Sequence, residues 1–276
     1  MLFFIICLAF VLFVFAFLFM ICPNLAKDRK KKMQPFESVY IAHRGFFDNQ
    51  GGIPENSLLA FQKAVDAGFG IELDVQLSND GYLLVFHDDS MKRMCGIDKK
   101  LREMDFDEIQ KYSLLNTNEK IPLFKDVLEV INGKVPLIVE VKYEGDVIAT
   151  TKTMANMMDD YQGIWCMESF DPRSLQWFKQ HRPSIIRGQL STDYWKDQLE
   201  QTMINKLFLT NLMYNMLGRP DFIAYNHIYY NNMTLNICRK LFSPAMVAWT
   251  IKSKNEMDLA KRHHFEIFIF DSFDPS

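Results

Sequence analysis

The sequence predicts an α/β fold, a (β/α)8 or TIM barrel, preceded by one transmembrane helix. Eight short β-rich apolar runs recur from residue 39 to the end, and helix-like segments lie between most of them. Such alternation is typical of a parallel sheet with helical crossovers. Eight units over about 235 residues match the strand number and length of a barrel. A separate, uninterrupted apolar run at the N-terminus predicts the membrane helix.

The predicted strands share β-branched and aromatic residues and are bounded by turn residues. They are Val39–Ala42, Ile71–Leu77, Leu137–Val141, Ile164–Met167, Ile185–Gln189, Phe222–Tyr225, Met246–Ile251 and Ile267–Phe270. A doubly wound sheet is the alternative fold. It is disfavoured because no GxGxxG sequence follows any of these strands.

Helices are predicted where apolar residues recur at helical spacing and a stop signal follows. Gly68 ends one such segment, Asn132-Gly133 ends another, and Pro183 follows a third. The predicted helices are Leu58–Ala67, Phe124–Ile131, Ser174–Gln180 and Asn255–His263.

One irregularity interrupts the alternation after the second strand. Tyr82–Phe86 is an additional strand-like run, and residues 89–120 then form a charged stretch with no predicted strand. We interpret residues 89–120 as a small insertion in one βα loop.

Residues 2–22 contain no charged and no strongly polar side chain. A helix of this length crosses roughly 30 Å of hydrocarbon. A cleaved signal peptide is the competing interpretation. It is disfavoured because no basic residue precedes the run, the run is too long, and Cys22-Pro23-Asn24 is a poor cleavage site. We therefore expect a retained anchor over residues 1–24.

A basic linker over residues 25–37 is expected to follow the anchor. Lys27–Lys32 carries five positive charges and one negative, and no charged side chain precedes the span. The positive-inside rule places this flank and the following domain, residues 38–276, in the cytoplasm at the cell membrane. The same cluster can bind anionic lipid. The six residues contribute a net +4 to a total of −3, so the rest carries −7, which argues against nucleic acid as a partner.

Cysteine usage agrees with a cytosolic domain. Cys95, Cys166 and Cys238 are widely spaced, odd in number, and form no CxxC pair. Neither a disulfide framework nor a cysteine metal site is expected.

The predicted strands end in polar residues that are unusual for a barrel core. Glu72 and Asp74 interrupt one apolar run and point to the same face, because strand side chains alternate. Glu140 and Lys142 repeat the pattern. An exposed edge strand or a buried Glu–Lys pair would be the plain structural interpretation. Three carboxylates on one barrel rim would instead suit a hard divalent cation, Mg²⁺ or Ca²⁺.

His43 and His87 each end a strand at the same predicted rim. A lone histidine at such a position is most often structural. Two of them beside three carboxylates indicate acid–base chemistry, because both titrate near neutrality. Arg44, Lys142 and a metal together would suit a phosphate group.

These residues resemble the glycerophosphodiester phosphodiesterase family. The resemblance consists of "HRG" at 43–45, "PENS" at 54–57, "ELDVQLSNDGYLLVFHD" at 72–88 and "EVK" at 140–142, in that order. It implies a TIM barrel and a metal-dependent phosphodiesterase. It also implies roles for individual residues: His43 and His87 as the acid–base pair; Glu72, Asp74 and Glu140 as metal ligands; Arg44 and Lys142 as phosphate contacts; and Glu55 near the site.

The resemblance implies hydrolysis of glycerophosphodiesters to sn-glycerol 3-phosphate and an alcohol. Two alternatives stay open: a lysophospholipase D or phospholipase D-like activity on lipids, which the anchor favours, and a non-catalytic membrane protein. The end of the chain departs from the family pattern, with Phe270 where threonine is expected before Asp271. Residues 191–236 match the family little and lie on the predicted leaving-group side.

Overall fold

The computed structural model describes residues 1–275 and places eight parallel strands in a closed barrel. A further short strand, β3, lies outside the barrel. The strands are β1 Ile41–His43, β2 Gly70–Leu77, β3 Leu83–Val85, β4 Leu137–Val141, β5 Trp165–Ser169, β6 Arg187–Ser191, β7 Phe222–Asn226, β8 Ala245–Ile251 and β9 Ile267–Phe270. All eight predicted barrel strands are confirmed, each within two residues at either end.

Each barrel strand pairs in parallel with the next along the chain, with β3 skipped. The barrel closes because β1 pairs with both β2 and β9, which aligns Ile41 with Gly70 and with Ile269. The C-terminal ends of all eight strands therefore meet at one rim, where the active sites of such barrels lie.

The helices are α1 Leu2–Ile21, α2 Lys27–Lys31, α3 Gln34–Glu37, α4 Leu58–Asp66, α5 Lys92–Cys95, α6 Phe106–Ile109, α7 Phe124–Ile131, α8 Val147–Met158, α9 Pro172–His181, α10 Met203–Thr210, α11 Asn215–Gly218, α12 Met233–Phe242 and α13 Lys254–Arg262. Most of them pack around the barrel; within the described residues, α1 contacts it only through its last turns, and α2 and α3 lie at its N-terminal end. The four helices expected from the sequence are confirmed as α4, α7, α9 and α13.

The predicted irregularity after the second strand is also confirmed. β3 pairs antiparallel with the second half of β2, aligning Val85 with Val75. The insertion that follows contains α5, α6 and short 3₁₀ turns, and it packs around its own apolar cluster, which includes Leu84, Met94 and Ile109.

The lower half of the barrel interior is apolar and tightly filled. Ile138, Cys166, Phe222 and Ile267 lie in one buried cluster there. Gly188 is required at this level, because a Cβ on it would lie 2.0 Å from the Phe222 ring. The polar residues of the strands are thereby confined to the upper half, near the C-terminal rim.

Residues 22–37 close the N-terminal end of the barrel. Met33 and Phe36 are buried and extend the apolar cluster that begins with Ile41. Arg29 forms a bidentate ion pair with Asp221, with N···O distances of 2.9 and 2.7 Å. The segment expected to be a linker is therefore folded against the barrel, through α2 and α3.

Among the described residues, α1 is long and apolar enough to cross a membrane, with a mean hydropathy of 3.2. Its C-terminal end contacts the barrel. Asn215 donates a hydrogen bond to the Ile21 carbonyl (2.9 Å), and Arg219 donates to the carbonyls of Phe19 (3.0 Å) and Cys22 (2.7 Å). These bonds satisfy carbonyl groups that a helix end leaves without intrahelical partners.

Candidate active site

The strand register groups polar side chains at two adjacent levels of the C-terminal rim, which together we call the polar layer. His43 is aligned with Glu72, and Asp74 is aligned with Glu140, which is in turn aligned with Glu168 on β5. All four carboxylates are buried. Inward-facing positions on β1, β2, β4 and β5 thus bring together four of the predicted site residues and one further carboxylate, Glu168, that the sequence did not single out. The four are His43, Glu72, Asp74 and Glu140.

Glu72, Asp74 and Glu140 form a cluster in which one ligand atom of each lies within 4.8 Å of the others. Burial raises the pKa of Glu72 well above its usual value, and the charges of Asp74, Glu140 and Glu168 raise it further. The positive charge of Arg44 offsets these effects only in part. Oxygen ligands crowded in a buried site fit a hard divalent cation, because its charge would relieve this repulsion.

Lys142 lies beside this cluster. Its Nζ is 2.9 Å from Oε1 of Glu140 and 3.4 Å from Oδ1 of Asp74. Burial opposes the charged form of the lysine, but these two carboxylates raise its pKa well above the usual value. Lys142 is therefore a charged ammonium group fixed at the rim.

The loop that follows β1 is held in an unusual backbone conformation. Arg44 and Asn56 both adopt left-handed φ angles, 56° and 55°. The backbone N–H of Asn56 donates to the backbone carbonyl of Arg44 at 2.9 Å. Gly45 also has a positive φ, and a Cβ on it would lie 2.9 Å from the backbone of Ala60. Strained backbone of this kind is concentrated at functional sites. Its effect here is to direct the Arg44 side chain towards Glu55 and Asp74.

Arg44 is anchored by two carboxylates. Its Nη1 donates to Oε1 of Glu55 at 2.6 Å, and its Nε is 3.4 Å from Oδ2 of Asp74. Asn56 Nδ2 donates to the same Asp74 oxygen at 2.9 Å. The PENS sequence therefore supports the site in two ways: Glu55 holds the arginine and Asn56 holds Asp74.

Each predicted histidine has a carboxylate partner. His43 Nδ1 lies 3.1 Å from Oδ2 of Asp271, and His87 Nδ1 lies 2.7 Å from Oδ1 of Asp88. Burial and the neighbouring charge of Arg44 lower the pKa of His43 to about 4. Burial opposes ionisation of Asp88, but hydrogen bonds from His87 and Arg93 hold its pKa well below the usual value. Pairs of this kind fix the orientation and tautomer of an imidazole ring.

A cleft of about 790 Å³ opens beside the polar layer. His87 and Lys142 lie at its inner end, and residues 192–217 contribute much of its outer wall. Aromatic side chains at its walls include Tyr143, Phe170 and Trp249. Substrates and cofactors bind preferentially in clefts of this size.

The sequence pattern of the glycerophosphoryl diester phosphodiesterase family matches residues 43–274. The chain belongs to this family. The matched residues include every strand end that carries the polar layer, from His43 on β1 to Asp271 after β9.

Several relatives and solved structures are similar to this chain. A glycerophosphodiester phosphodiesterase of Caldanaerobacter subterraneus subsp. tengcongensis is 36% identical over 114 residues, which cover 38% of this chain and 46% of the relative. Human lysophospholipase D GDPD1 is 30% identical over 148 residues, which cover 49% and 45% of the two chains. The chain therefore spans about half the length of these two relatives.

The fold is also shared with solved structures. A phosphodiesterase of Oleispira antarctica, solved in complex with the product sn-glycerol-3-phosphate, superimposes with a TM-score of 0.69 at 21% identity, over 86% of this chain and 95% of that one. The TIM-barrel fold implied by the family resemblance is confirmed.

The structure adds site residues that sequence reasoning did not assign. Arg93, in the insertion, forms a bidentate pair with Glu55 (2.8 and 2.7 Å) and also contacts Asp88. Asp271 directly follows the last strand, so the expectation that reactive residues lie at the C-terminal ends of barrel strands could have identified it. Glu168 was also detectable, because it interrupts β5. Arg93 carries no such signal, since the insertion has no regular pattern.

Proposed function

We propose that this chain hydrolyses glycerophosphodiesters to sn-glycerol 3-phosphate and an alcohol, using a divalent cation and histidine acid–base catalysis. The observation that supports this most directly is the buried polar layer. Its three crowded carboxylates lie beside His43, while His87 faces the same site from the cleft, and each histidine is paired with a carboxylate. Arg44 and Lys142 add two positively charged side chains. Family membership supports the same class of substrate.

Glu72, Asp74 and Glu140 would hold the cation, Mg²⁺ or Ca²⁺, through their oxygens. When bound, the cation would neutralise charge on the phosphoryl oxygens. Arg44 and Lys142 contribute fixed positive charge next to the same carboxylates and contact the phosphate. Glu55 keeps Arg44 in place for this role.

The two histidines act on opposite sides of the phosphorus in this proposal. His43, beside Glu72 and backed by Asp271, accepts the proton of the attacking hydroxyl, which belongs either to the substrate glycerol or to water. His87 lines the cleft and is backed by Asp88, so it donates a proton to the departing alcohol. If a glycerol hydroxyl attacks, a cyclic phosphate forms and water then opens it. In this second step His87 accepts the proton of the water, and His43 returns a proton to the glycerol oxygen.

We propose that α1 anchors the enzyme in the cell membrane. Twenty residues in α1 suffice to cross the hydrocarbon core, and no charged side chain lies within it. The domain boundaries follow: anchor 1–24, basic segment 25–37, catalytic domain 38–276. The basic segment favours a cytoplasmic catalytic domain and contact with anionic lipid. Protease added outside intact cells is therefore expected to spare the barrel.

A lysophospholipase D activity is the second candidate. The name of the human relative and the apolar side chains of the cleft favour it. A non-catalytic membrane protein is disfavoured, because the rim retains every residue type that the proposed reaction needs: the crowded carboxylates, both carboxylate-paired histidines, and two positively charged side chains.

A direct assay separates these candidates. The purified chain is incubated with glycerophosphocholine or with lysophosphatidylcholine, with and without Mg²⁺ or Ca²⁺, and the phosphate product of each is identified. Release of sn-glycerol 3-phosphate from the first substrate supports the main proposal. Release of lysophosphatidic acid from the second supports lysophospholipase D activity. Absence of both products with either metal contradicts the proposed function.

A further inference from the structure

A second cleft, of about 710 Å³, lies between the last turns of α1 and the N-terminal end of the barrel. It is at the opposite end of the strands from the polar layer, because it is lined by the first residue of β6 and by the segment that precedes β7. We call it the junction cleft. Its lining includes Phe15, Leu18, Phe19, Lys179, Arg187 and Arg219.

Three positively charged side chains line the junction cleft, and no acidic residue among the described residues does so. Lys179 lies in the last turn of α9, Arg187 begins β6, and Arg219 follows α11. Burial lowers the pKa of Lys179, and the charges of Arg219 and Arg187 lower it further. The three charges therefore repel one another, and an anion bound among them would relieve that repulsion.

The carboxylate beside the cleft, Asp221, is already shared. Its Oδ1 accepts from Arg29 Nε (2.9 Å) and Asn24 Nδ2 (2.8 Å), and its Oδ2 accepts from Arg29 Nη2 (2.7 Å) and the backbone N–H of Arg187 (3.0 Å). Nη1 of Arg187 lies 3.8 Å from Oδ2 of Asp221 and has no hydrogen-bond partner among the described residues, although Arg187 is only 3% exposed. A buried donor without an acceptor is costly unless a ligand supplies one.

The cluster of cations is attached to the end of the candidate span. Arg219 donates to the carbonyls of Phe19 and Cys22, and its guanidinium carbon lies 4.4 Å from the centroid of the Phe19 ring. Ile21 is completely buried, and Asn215 donates to its carbonyl. Because α1 is proposed to span the bilayer, these contacts place the cations where the helix leaves the hydrocarbon.

An apolar wall leads from the hydrocarbon to these cations. Phe15, Leu18 and Phe19 occupy positions i, i+3 and i+4 of α1 and all line the cleft. Phe15 lies six residues before Ile21, so the wall extends about 9 Å from the end of the helix. Phe242, the last residue of α12, also lines the cleft. A free phosphate ion would use the cations alone, whereas a phospholipid would use the cations and the apolar wall together.

We propose that the junction cleft binds one anionic phospholipid of the bilayer that α1 spans. Its phosphate lies among Lys179, Arg187 and Arg219, and an acyl chain lies along the apolar wall of α1. Three cations without a carboxylate in the cleft favour a headgroup with net negative charge over a zwitterionic one, and basic pockets beside transmembrane helices bind such headgroups. This inference rests on the proposed anchoring by α1 and is independent of the proposed reaction. The site is also distinct from the basic segment 25–37, because its cations belong to the barrel domain.

Bound lipid is measured directly on the full chain. The chain is extracted into dodecyl maltoside with equal amounts of phosphatidylglycerol and phosphatidylcholine, and native mass spectrometry counts the lipids that stay bound. We expect one phosphatidylglycerol per chain, retained at least fivefold more often than phosphatidylcholine. No charged bilayer remains in detergent, so a retained lipid reports contact with the chain rather than attraction to a surface.

Two variants and one control locate the bound lipid. Lys179→Ala, at an exposed position, should lower the retained fraction about fivefold, which is the contribution of one basic residue beside an anionic lipid. Arg187→Met should lower it at least as much, with circular dichroism to check the fold. Lys31→Ala removes the same charge from an exposed position in the basic segment, outside the cleft, and should lower it less than twofold.

Three results would overturn the proposal. Equal retention of the two lipids would show that the cleft does not select negative charge. Equal losses in Lys179→Ala and Lys31→Ala would show that the attraction is diffuse. Displacement of phosphatidylglycerol by millimolar inorganic phosphate would identify a site for the free ion instead of a lipid. A chain that hydrolyses no phosphodiester but retains phosphatidylglycerol would contradict the proposed function and support the lipid site.

Discussion

His43 Nδ1 lies 3.1 Å from Oδ2 of Asp271, although the two residues are 228 positions apart in the chain. The contact exists because β1 and β9 pair to close the barrel, which aligns Ala42 with Phe270 one residue before each of them. Closure of the barrel and orientation of the histidine are therefore linked. A carboxylate in this position holds the ring in one tautomer, with Nε2 directed towards the site.

Asp271→Asn should lower kcat by about 10- to 1,000-fold with a small change in KM, because the ring keeps its place but loses its preferred tautomer. Steady-state kinetics on glycerophosphocholine measures this, and circular dichroism checks that the fold is retained. Asp258→Asn, at an exposed site on α13, is the matched control and should be neutral. Wild-type kcat in Asp271→Asn would mean that the His43–Asp271 contact has no catalytic role.

His43→Ala and His87→Ala should each lower turnover by about 10²- to 10⁴-fold, the usual contribution of a general acid or base. Thermal stability should change little, because both side chains are at the rim. His181→Ala is the control. Its ring stacks on Trp177 on the exterior helix α9, away from the polar layer, so activity should stay near the wild-type value. Near-normal turnover in His87→Ala would contradict the paired-histidine mechanism.

Chelation should abolish activity, and Mg²⁺ or Ca²⁺ should restore it, because three carboxylates share one buried site. Asp74→Asn should weaken cation binding at least tenfold in a calorimetric titration, a readout that does not depend on turnover. Glu129→Gln, which removes an exposed carboxylate on α7, should bind the cation as the wild type does. Full activity in excess chelator would refute the assignment of the triad.

The barrel strands and the polar layer could be predicted from the sequence for a physical reason. Strand alternation and the convergence of parallel strand ends convert spacing into proximity, so spacing alone placed Glu72, Asp74 and Glu140 together. Helix α8 was not predicted from the sequence, because its buried face is partly polar. Thr151 is buried there, donates to the Val147 carbonyl and pairs with Ser174, which breaks the apolar periodicity.

Contacts made by irregular segments were beyond sequence reasoning. Arg93 reaches Glu55 from the insertion, and Arg29 reaches Asp221 from the segment that was predicted to be a basic linker. In both cases the sequence shows one charge among several. Only the tertiary fold decides which of the neighbouring basic residues is buried against a carboxylate.

Glu55 should contribute to stability in a pH-dependent way. Burial tends to raise its pKa, but the hydrogen bonds from Arg93 and Asn49 and the charge of Arg44 outweigh this and lower it from 4.5 to about 2. A lowered pKa in the folded state means that the stabilisation is complete above about pH 4.5 and is lost as the pH falls towards 2. Glu55→Gln should therefore cost up to about 3 kcal/mol at pH 7, since one pKa unit corresponds to about 1.4 kcal/mol.

Urea unfolding of both proteins between pH 7 and pH 3 measures this effect. The difference in the free energy of unfolding should shrink below about pH 4.5. The exposed substitution Glu129→Gln should show no such trend. A constant difference between wild type and Glu55→Gln at all pH values would indicate that the ionised carboxylate is not what stabilises the loop.

The Arg29–Asp221 ion pair should make residues 22–31 necessary for a stable barrel. Both side chains are almost completely buried, and Arg29 also donates to the carbonyls of Ser184 and Ile185, at 2.9 and 2.7 Å. Arg29→Ala leaves a buried carboxylate with fewer partners, and removing one member of such a pair costs about 3–5 kcal/mol. We expect the lower end of that range, because Asn24 still donates to Asp221.

Lys31→Ala, at the exposed neighbouring position, should cost less than about 1 kcal/mol. The same reasoning applies to shortened chains. A chain that begins at Lys32 retains every catalytic residue but lacks Arg29, so its midpoint of thermal unfolding should be several degrees below that of a chain that begins at Asn24. Both should hydrolyse glycerophosphocholine at similar rates below their unfolding temperatures, because the ion pair lies at the opposite end of the barrel from His43. Equal midpoints for the two chains would show that the basic segment is a linker after all, as its composition first indicated.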